Sequence, residues 1–106
     1  MLSVSDLGKP VTVTPEWLLS VIKSDLSNDE KARRIYARHN LAQMYSFLKE
    51  NLGFYDQVLT PTFKEYPELA KGLDVDANGE VSGEIKKAVC QYRDSVRLYE
   101  KAFGKL

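Results

Sequence analysis

The residues whose types and spacing most suggest chemistry lie in a short polar loop in the last third of the chain. Asp74, Asp76 and Asn78 carry side-chain oxygens at alternating positions, and Gly79 follows directly. An asparagine–glycine pair readily adopts the positive φ angles of a tight turn. Because calcium takes six to eight oxygen ligands, such a turn offers three of them from one side. The loop is therefore a candidate calcium site.

The twelve residues from 74 to 85 resemble the calcium loop of EF-hand and dockerin-type proteins, and Gly79 matches the glycine of its sharp turn. The resemblance implies four calcium ligands: Asp74, Asp76, Asn78 and, through its backbone carbonyl, Glu80. The sequence departs from the pattern at the last loop position, where Ile85 stands in place of the bidentate acid. Glu84 is one residue early, which on a helix turns it about 100° away. The alternative is a solvated turn between two helices, because turns favour these residue types anyway. No other cofactor is expected.

Basic side chains gather at the start of a long predicted helix and recur along the last helix. Five of them form a candidate nucleic-acid surface: Arg33, Arg34, Arg38, Arg93 and Arg97. The alternative is a solvated face whose charges pair partly with neighbouring acids. Lysine plus arginine total 15 and aspartate plus glutamate total 15, so the formal net charge is 0. That balance argues against a nucleic-acid partner, because dedicated binders carry a basic excess.

No set of residues forms a recognised catalytic motif, so a non-enzymatic role is favoured. The chain has one histidine, His39, and one cysteine, Cys90. Nucleophilic catalysis would require these two side chains to meet in space. Otherwise His39 is expected to be a partly buried helical residue with a hydrogen-bond partner. Cys90 is expected to be a small packing residue away from the main apolar stripe of its helix.

The cellular setting follows from the cysteine content and the hydropathy pattern. One cysteine cannot form an internal disulfide, which indicates a reducing, cytoplasmic environment. No stretch approaches 18 apolar residues, so no segment is expected to span a membrane. Residues 1–10 lack the apolar run of a signal peptide.

Capping residues and apolar spacing predict two helices in the first half of the chain. The Thr14-Pro15 pair starts a helix that extends to Asp25, because threonine caps well and proline fits the first helical turn. A long helix over residues 28–52 follows, and Gly53 is expected to end it. Its first half places one set of residues on the core side: Ala32, Ile35, Tyr36, His39 and Ala42. Its second half moves the stripe to Leu41, Tyr45, Leu48 and Leu52.

The second half of the chain has an interrupted middle and a clear final helix. Pro61 and Pro67 divide the middle into short helices expected near 56–59 and 62–71. The final helix covers 83–103, where apolar residues recur at steps of three or four: Ile85, Ala88, Val89, Tyr92, Val96, Tyr99 and Phe103.

These elements predict an all-α fold, a small helical bundle of about four helices in which the two long helices pack antiparallel. Residues 15–106 are expected to form one helical domain, preceded by an extended arm over residues 1–14. The two valines that flank the polar loop also allow a tiny hairpin near 75–81.

The tyrosine content points to a protein partner. The chain has six tyrosines, a residue suited to protein interfaces because it combines large area with one polar end. Tyr55 and Tyr66 lie in the irregular middle and are the candidate partner-binding residues. With zero net charge and no catalytic set, the leading hypothesis is a small accessory or regulatory protein-interaction domain, with a homodimer as one form. The alternatives are a calcium-binding helix–loop–helix and a nucleic-acid accessory factor.

Calcium titration of the metal-stripped protein tests the loop. If the loop binds calcium, we expect the backbone amide of Gly79 to shift downfield in NMR spectra and to saturate at micromolar to low-millimolar calcium. Spectra that stay unchanged to several millimolar calcium would reduce the loop to a turn.

Overall fold

The computed structural model describes residues 3–72 and 83–106, and every regular element within these two ranges is helical. Four α-helices occur there: α1 (Pro15–Ile22), α2 (Asn28–Phe54), α3 (Thr60–Glu65) and α4 (Gly83–Phe103). They are accompanied by a 3-10 turn at Val4–Leu7, a π-helical segment at Tyr55–Leu59 and a 3-10 turn at Pro67–Gly72. The predicted all-α class is confirmed. The hairpin predicted near 75–81 lies outside the described residues.

Helix α1 begins where the sequence predicts and ends three residues early. The Trp17 N–H donates to Thr14 Oγ1 at 3.1 Å, so Thr14 caps the helix. At the other end, the Ser24 N–H donates to the carbonyl oxygen of Val21, 3.1 Å away. This bond to the third preceding residue tightens the last turn and closes the helix before the predicted end at Asp25.

Helix α2 starts at its predicted cap but does not end at Gly53. The Glu30 N–H donates to Ser27 Oγ at 3.2 Å, which satisfies one amide of the first turn. The prediction for Gly53 is wrong because a glycine ends a helix by adopting a positive φ. Among the described residues only Gly8 and Gly104 have a positive φ. Gly53 stays in the helical conformation, and the chain continues without a turn.

The helical backbone runs on from Asn28 to Glu65 through the π-helical segment. At 1.5 Å per residue this rod spans about 57 Å. The long axis of the molecule measures 59 Å. Pro67 ends the rod, because the residue before a proline is disfavoured in the α region, and Tyr66 accordingly has φ −128° and ψ 74°. The helix predicted over 62–71 is therefore divided at Tyr66.

The two long helices pack antiparallel, as predicted. Tyr45 of α2 meets Tyr92 of α4 with ring centroids 6.1 Å apart. Arg34, eleven residues before Tyr45, lies over the ring of Phe103, eleven residues after Tyr92. Earlier residues of α2 thus meet later residues of α4. The least accessible side chains of the described protein lie at this contact: Leu48, Leu52, Val89 and Tyr92.

The two predicted stripes of α2 have different outcomes. The second stripe is confirmed, since all four of its members are buried: Leu41, Tyr45, Leu48 and Leu52. The first stripe is wrong at three of its five members: Tyr36 is 71% exposed, and Ala32 and His39 are also exposed. The reason is tertiary: α4, α1 and the Val4–Leu7 turn contact α2, and these contacts leave Tyr36 and His39 exposed to solvent.

Residues 3–22, termed the N-terminal segment, lie against one side of the α2–α4 pair. Leu7 and Val11 are buried in the same core as the long helices. The guanidinium group of Arg93 donates twice to the carbonyl oxygen of Asp6, from Nε at 3.2 Å and from Nη2 at 2.7 Å. Core burial and the hydrogen bonds from Arg93 together hold this stretch on the helices.

Arg38 and Lys31 attach the rest of the N-terminal segment to α2. Arg38 Nε donates to the carbonyl oxygen of Thr12 at 2.8 Å, and its guanidinium group lies 4.7 Å from the centre of the Trp17 ring. Lys31 Nζ donates to the carbonyl oxygen of Ile22 at 2.7 Å. Trp17 is half-buried under Arg38, so it anchors α1 by stacking with a cation more than by deep burial.

The overall shape is a rod because α3 extends α2 and does not fold back on the helix pair. Among the described elements α3 contacts only the π-helical segment and the 3-10 turn Pro67–Gly72. The radius of gyration is 17.7 Å. A compact chain of this length would have a radius of about 13 Å. No helix within residues 3–72 or 83–106 is long and apolar enough to cross a bilayer.

Substituting Tyr92 by phenylalanine is expected to stabilise the protein. The Tyr92 hydroxyl is buried and has no hydrogen-bond partner among the described residues. An unpaired buried polar group costs about 1–3 kcal/mol. We therefore expect Tyr92→Phe to raise the free energy of unfolding in urea by about 1 kcal/mol, with Tyr45→Phe as the matched control. If Tyr92→Phe instead has a lower free energy of unfolding than the wild type, the Tyr92 hydroxyl has a hydrogen-bond partner in solution.

The same variant is expected to change the alkaline limb of the stability profile. Burial, with a smaller contribution from Tyr45, raises the pKa of Tyr92 above its usual value of 10.0. Above about pH 10 the unfolded chain loses this proton before the folded chain does, so stability falls until the pH passes the folded pKa. Urea unfolding at pH 9 and at pH 11 measures how much the free energy of unfolding falls between the two pH values. This fall should be smaller for Tyr92→Phe than for the wild type.

Candidate interaction surface

The four candidate calcium ligands lie outside the described residues: Asp74, Asp76, Asn78 and Glu80. Within residues 3–72 and 83–106 no group of three or more metal-ligating side chains occurs. Calcium binding at the loop therefore stays a prediction from the sequence.

Three of the five candidate nucleic-acid arginines hold the fold together. Arg38 and Arg93 donate to backbone carbonyls of the N-terminal segment. The guanidinium carbon of Arg34 lies 5.4 Å from the centre of the Phe103 ring, and Arg34 Nε is buried. These contacts turn the three cations toward protein groups. A phosphate-binding surface would have to be built on the other two candidates.

Those two arginines, Arg33 and Arg97, form exposed ion pairs along their own helices. Arg33 lies 3.6 Å from Glu30 and Arg97 lies 3.4 Å from Asp94, each pair spaced three residues apart. Exposed pairs of this kind are screened by solvent and contribute little to stability. They match the solvated face that the sequence allowed as the alternative. Nucleic-acid binding stays a prediction.

The remaining sequence candidates are scattered. Tyr55 is half-buried against the core, and Tyr66 is 49% exposed beyond the end of α3. His39 and Cys90 are both exposed, which corrects the expectations that His39 is partly buried and that Cys90 is a packing residue. Because Tyr45 lies opposite Tyr92, Cys90 is level with residue 47, about 12 Å along the axis from His39. The histidine and the cysteine do not form a catalytic pair.

A groove between α2 and α4 brings together residues that the sequence did not indicate as site candidates, although three of them belong to the predicted apolar stripes: Leu41, Tyr99 and Phe103. It has a volume of about 370 Å³ and is open to solvent along one side. Four lining residues come from each helix: Ala37, Asn40, Leu41 and Met44 from α2, and Ser95, Leu98, Tyr99 and Phe103 from α4. None of these eight side chains carries a charge. Leu98 stands at the edge of the groove and is 67% exposed.

The groove is open because the N-terminal segment covers only the other side of the helix pair. Arg38 and Arg93 point toward that segment, while Ala37, Asn40 and Ser95 line the groove. Two antiparallel helices have a long furrow on each side. Here one furrow is filled by Leu7, Val11 and their neighbours, and the other is left without a covering element among the described residues.

The uncharged surface continues along α2 beyond the groove. Tyr36, Asn40, Gln43 and Phe47 follow at steps of four, three and four residues, which places them on one side of the helix. All four are exposed, with Phe47 at 58%. We call the groove-lining residues together with Tyr36 and Phe47 the groove face. Large apolar side chains exposed beside an open groove are typical of a binding site.

The sequence contained a signal for the groove face, but a tertiary contact was needed to interpret it. Uncharged residues recur on α4 at Ser95, Leu98 and Ala102, beside the main apolar stripe. From the sequence alone, these residues could either widen the buried face of α4 or form an exposed uncharged face beside it. Only the position of the N-terminal segment on the opposite side shows which applies.

Comparisons of the chain with protein-family models, with curated proteins and with solved structures found no match. No residue role can therefore be transferred from a relative. The functional argument rests on the geometry of the groove face.

Arg93 and Arg97 provide a test of the different roles assigned to the arginines. Loss of the two hydrogen bonds to Asp6 should weaken the attachment of the N-terminal segment. We expect Arg93→Met to lower the free energy of unfolding by about 1.5 kcal/mol. The matched control Arg97→Met should stay within about 0.5 kcal/mol of the wild type. Equal effects of the two substitutions in urea unfolding would contradict the anchoring role of Arg93.

Proposed function

We propose that this protein is a small helical interaction domain, with an accessory or regulatory role, that binds a helix of a partner protein in the groove face. One observation carries the proposal. The furrow between the two longest helices is uncharged, open to solvent and edged by Leu98, a large apolar residue that is mostly exposed. A cytoplasmic setting is part of this proposal, because the single cysteine offers no internal disulfide.

The energetics favour occupation of the groove face over exposure. Fully burying a large apolar side chain is worth about 1.5–3 kcal/mol. Leu98, Tyr36 and Phe47 each leave more than half of their surface in water. Covering all three would release several kcal/mol toward binding, of which part offsets the entropy of association.

The shape of the groove indicates what kind of segment it accepts. Two parallel walls formed by α2 and α4 suit an amphipathic helix that places apolar residues at every third or fourth position. Asn40 and Ser95 offer polar groups within the groove, and a partner helix can present an amide or hydroxyl group to them. Strongly charged residues on that side of the partner would lose their hydration without a counter-charge.

Site-specific photocrosslinking in the source cell tests the proposal. A benzophenone amino acid replaces Ser95, which lies in the groove, and in a control protein it replaces Glu16, which is exposed on α1. We expect an abundant protein adduct from position 95 and none from position 16. The crosslinked peptide, identified by mass spectrometry, should come from the apolar side of an amphipathic helix.

A second substitution shows whether the adduct depends on the groove. Leu98→Glu places a charge at the edge of the groove, and because the side chain is exposed it should leave the circular dichroism melting curve unchanged. The adduct from position 95 should then fall at least tenfold. Equal adducts with and without Leu98→Glu, or adducts only from position 16, would contradict the proposal.

A further inference from the structure

We propose that this protein has a second binding site, a pocket beside the N-terminal segment that takes a small neutral molecule with an apolar body and one hydrogen-bond-accepting oxygen. The pocket has a volume of about 400 Å³. It lies in the furrow that the N-terminal segment covers, and it shares no lining residue with the groove between α2 and α4. This inference is therefore independent of the function proposed above.

The pocket is present because the N-terminal segment does not fill its furrow completely. Leu7 and Gly8 line the pocket from the segment, and Tyr92 and Val96 line it from α4, with Leu106 beside them. A Cβ atom added to Gly8 would have no heavy atom within 4 Å. The volume falls within the range of about 300–1,000 Å³ that is usual for small-molecule sites. The aliphatic and aromatic side chains of the lining favour a ligand with an apolar body.

Tyr92 supplies a polar group that can orient such a ligand. Its side chain is 1% exposed, and its hydroxyl has no hydrogen-bond partner among the described residues. A buried polar group without a partner is uncommon in folded proteins and calls for an explanation. Burial raises the pKa of Tyr92, so its hydroxyl keeps the proton at neutral pH and can donate it in a hydrogen bond. An oxygen atom of a ligand in the pocket would accept that bond.

The charged residues of the lining favour a neutral ligand over an ion. Lys9, Glu100 and Lys105 carry charges of both signs, and all three residues are exposed to solvent. Leu7 and Tyr92, in contrast, are buried and offer no counter-charge. A carboxylate or ammonium group placed against these two side chains would lose its hydration without compensation.

NMR titration of the purified protein with 2-octanone tests the pocket. We expect the backbone amides of Gly8 and Val96 to shift and to saturate, while those of Ala37 and Asn40 in the groove face stay unchanged. Octanoate has the same number of carbon atoms but carries a charge. It should bind about tenfold more weakly than the ketone, because its carboxylate loses hydration in the pocket.

Matched tyrosine variants show whether the Tyr92 hydroxyl contacts the ligand. Tyr92→Phe keeps the ring and removes the hydrogen bond, so we expect it to weaken the binding of 2-octanone about fivefold. Tyr45→Phe is the control, because Tyr45 is also buried but does not line the pocket. Its affinity for the ketone should equal that of the wild type. Circular dichroism melting should confirm that both variants fold.

Three results would overturn this inference: no saturating shift at Gly8 and Val96 up to the solubility limit of 2-octanone, shifts confined to the groove face, or equal affinities of Tyr92→Phe and the wild type. Octanoate that binds as tightly as the ketone would overturn the neutral class of ligand. None of these results depends on crosslinking at position 95, so the function proposed above is tested separately.

Discussion

The packing of α2 against α4 is the contact on which the other parts of the structure depend. Leu48, Leu52, Val89 and Tyr92 are the least exposed side chains of the described protein, and all four lie between these two helices. A pair of helices buries only one stripe of each, so a chain built around such a pair keeps two open furrows along its length. Whether each furrow is covered by another part of the chain determines both the fold and the candidate function.

One furrow is closed by the chain itself, and arginine side chains make this possible. Residues 8–14 of the N-terminal segment are not helical, and the attachment of the segment relies on Leu7, Val11 and the backbone carbonyls that accept from Arg38 and Arg93. Using these cations inside the molecule removes them from a possible phosphate-binding surface. The same contacts leave the opposite furrow uncovered, and its uncharged walls become the groove face.

The sequence predicted local features well because they depend on neighbouring residues. Thr14 and Ser27 cap helices since their side-chain oxygens reach amides three residues ahead. Gly104 follows the last residue of α4 with a positive φ, the conformation in which a glycine ends a helix. Gly53 was predicted to end α2 in this way and does not, because a glycine only permits a helix to end, and continuing the helix packs Tyr55 against the core.

The sequence by itself determined the all-α class, the two long helices, their antiparallel pairing and the buried stripes that join them, because the period of apolar residues and short-range capping specify these features. Only the tertiary structure decided which furrow is covered, that α3 prolongs α2, and that Leu98 is left exposed at the open furrow. Those outcomes depend on contacts such as Arg93 with Asp6, whose residues are 87 positions apart, and helical spacing contains no information about pairs so distant.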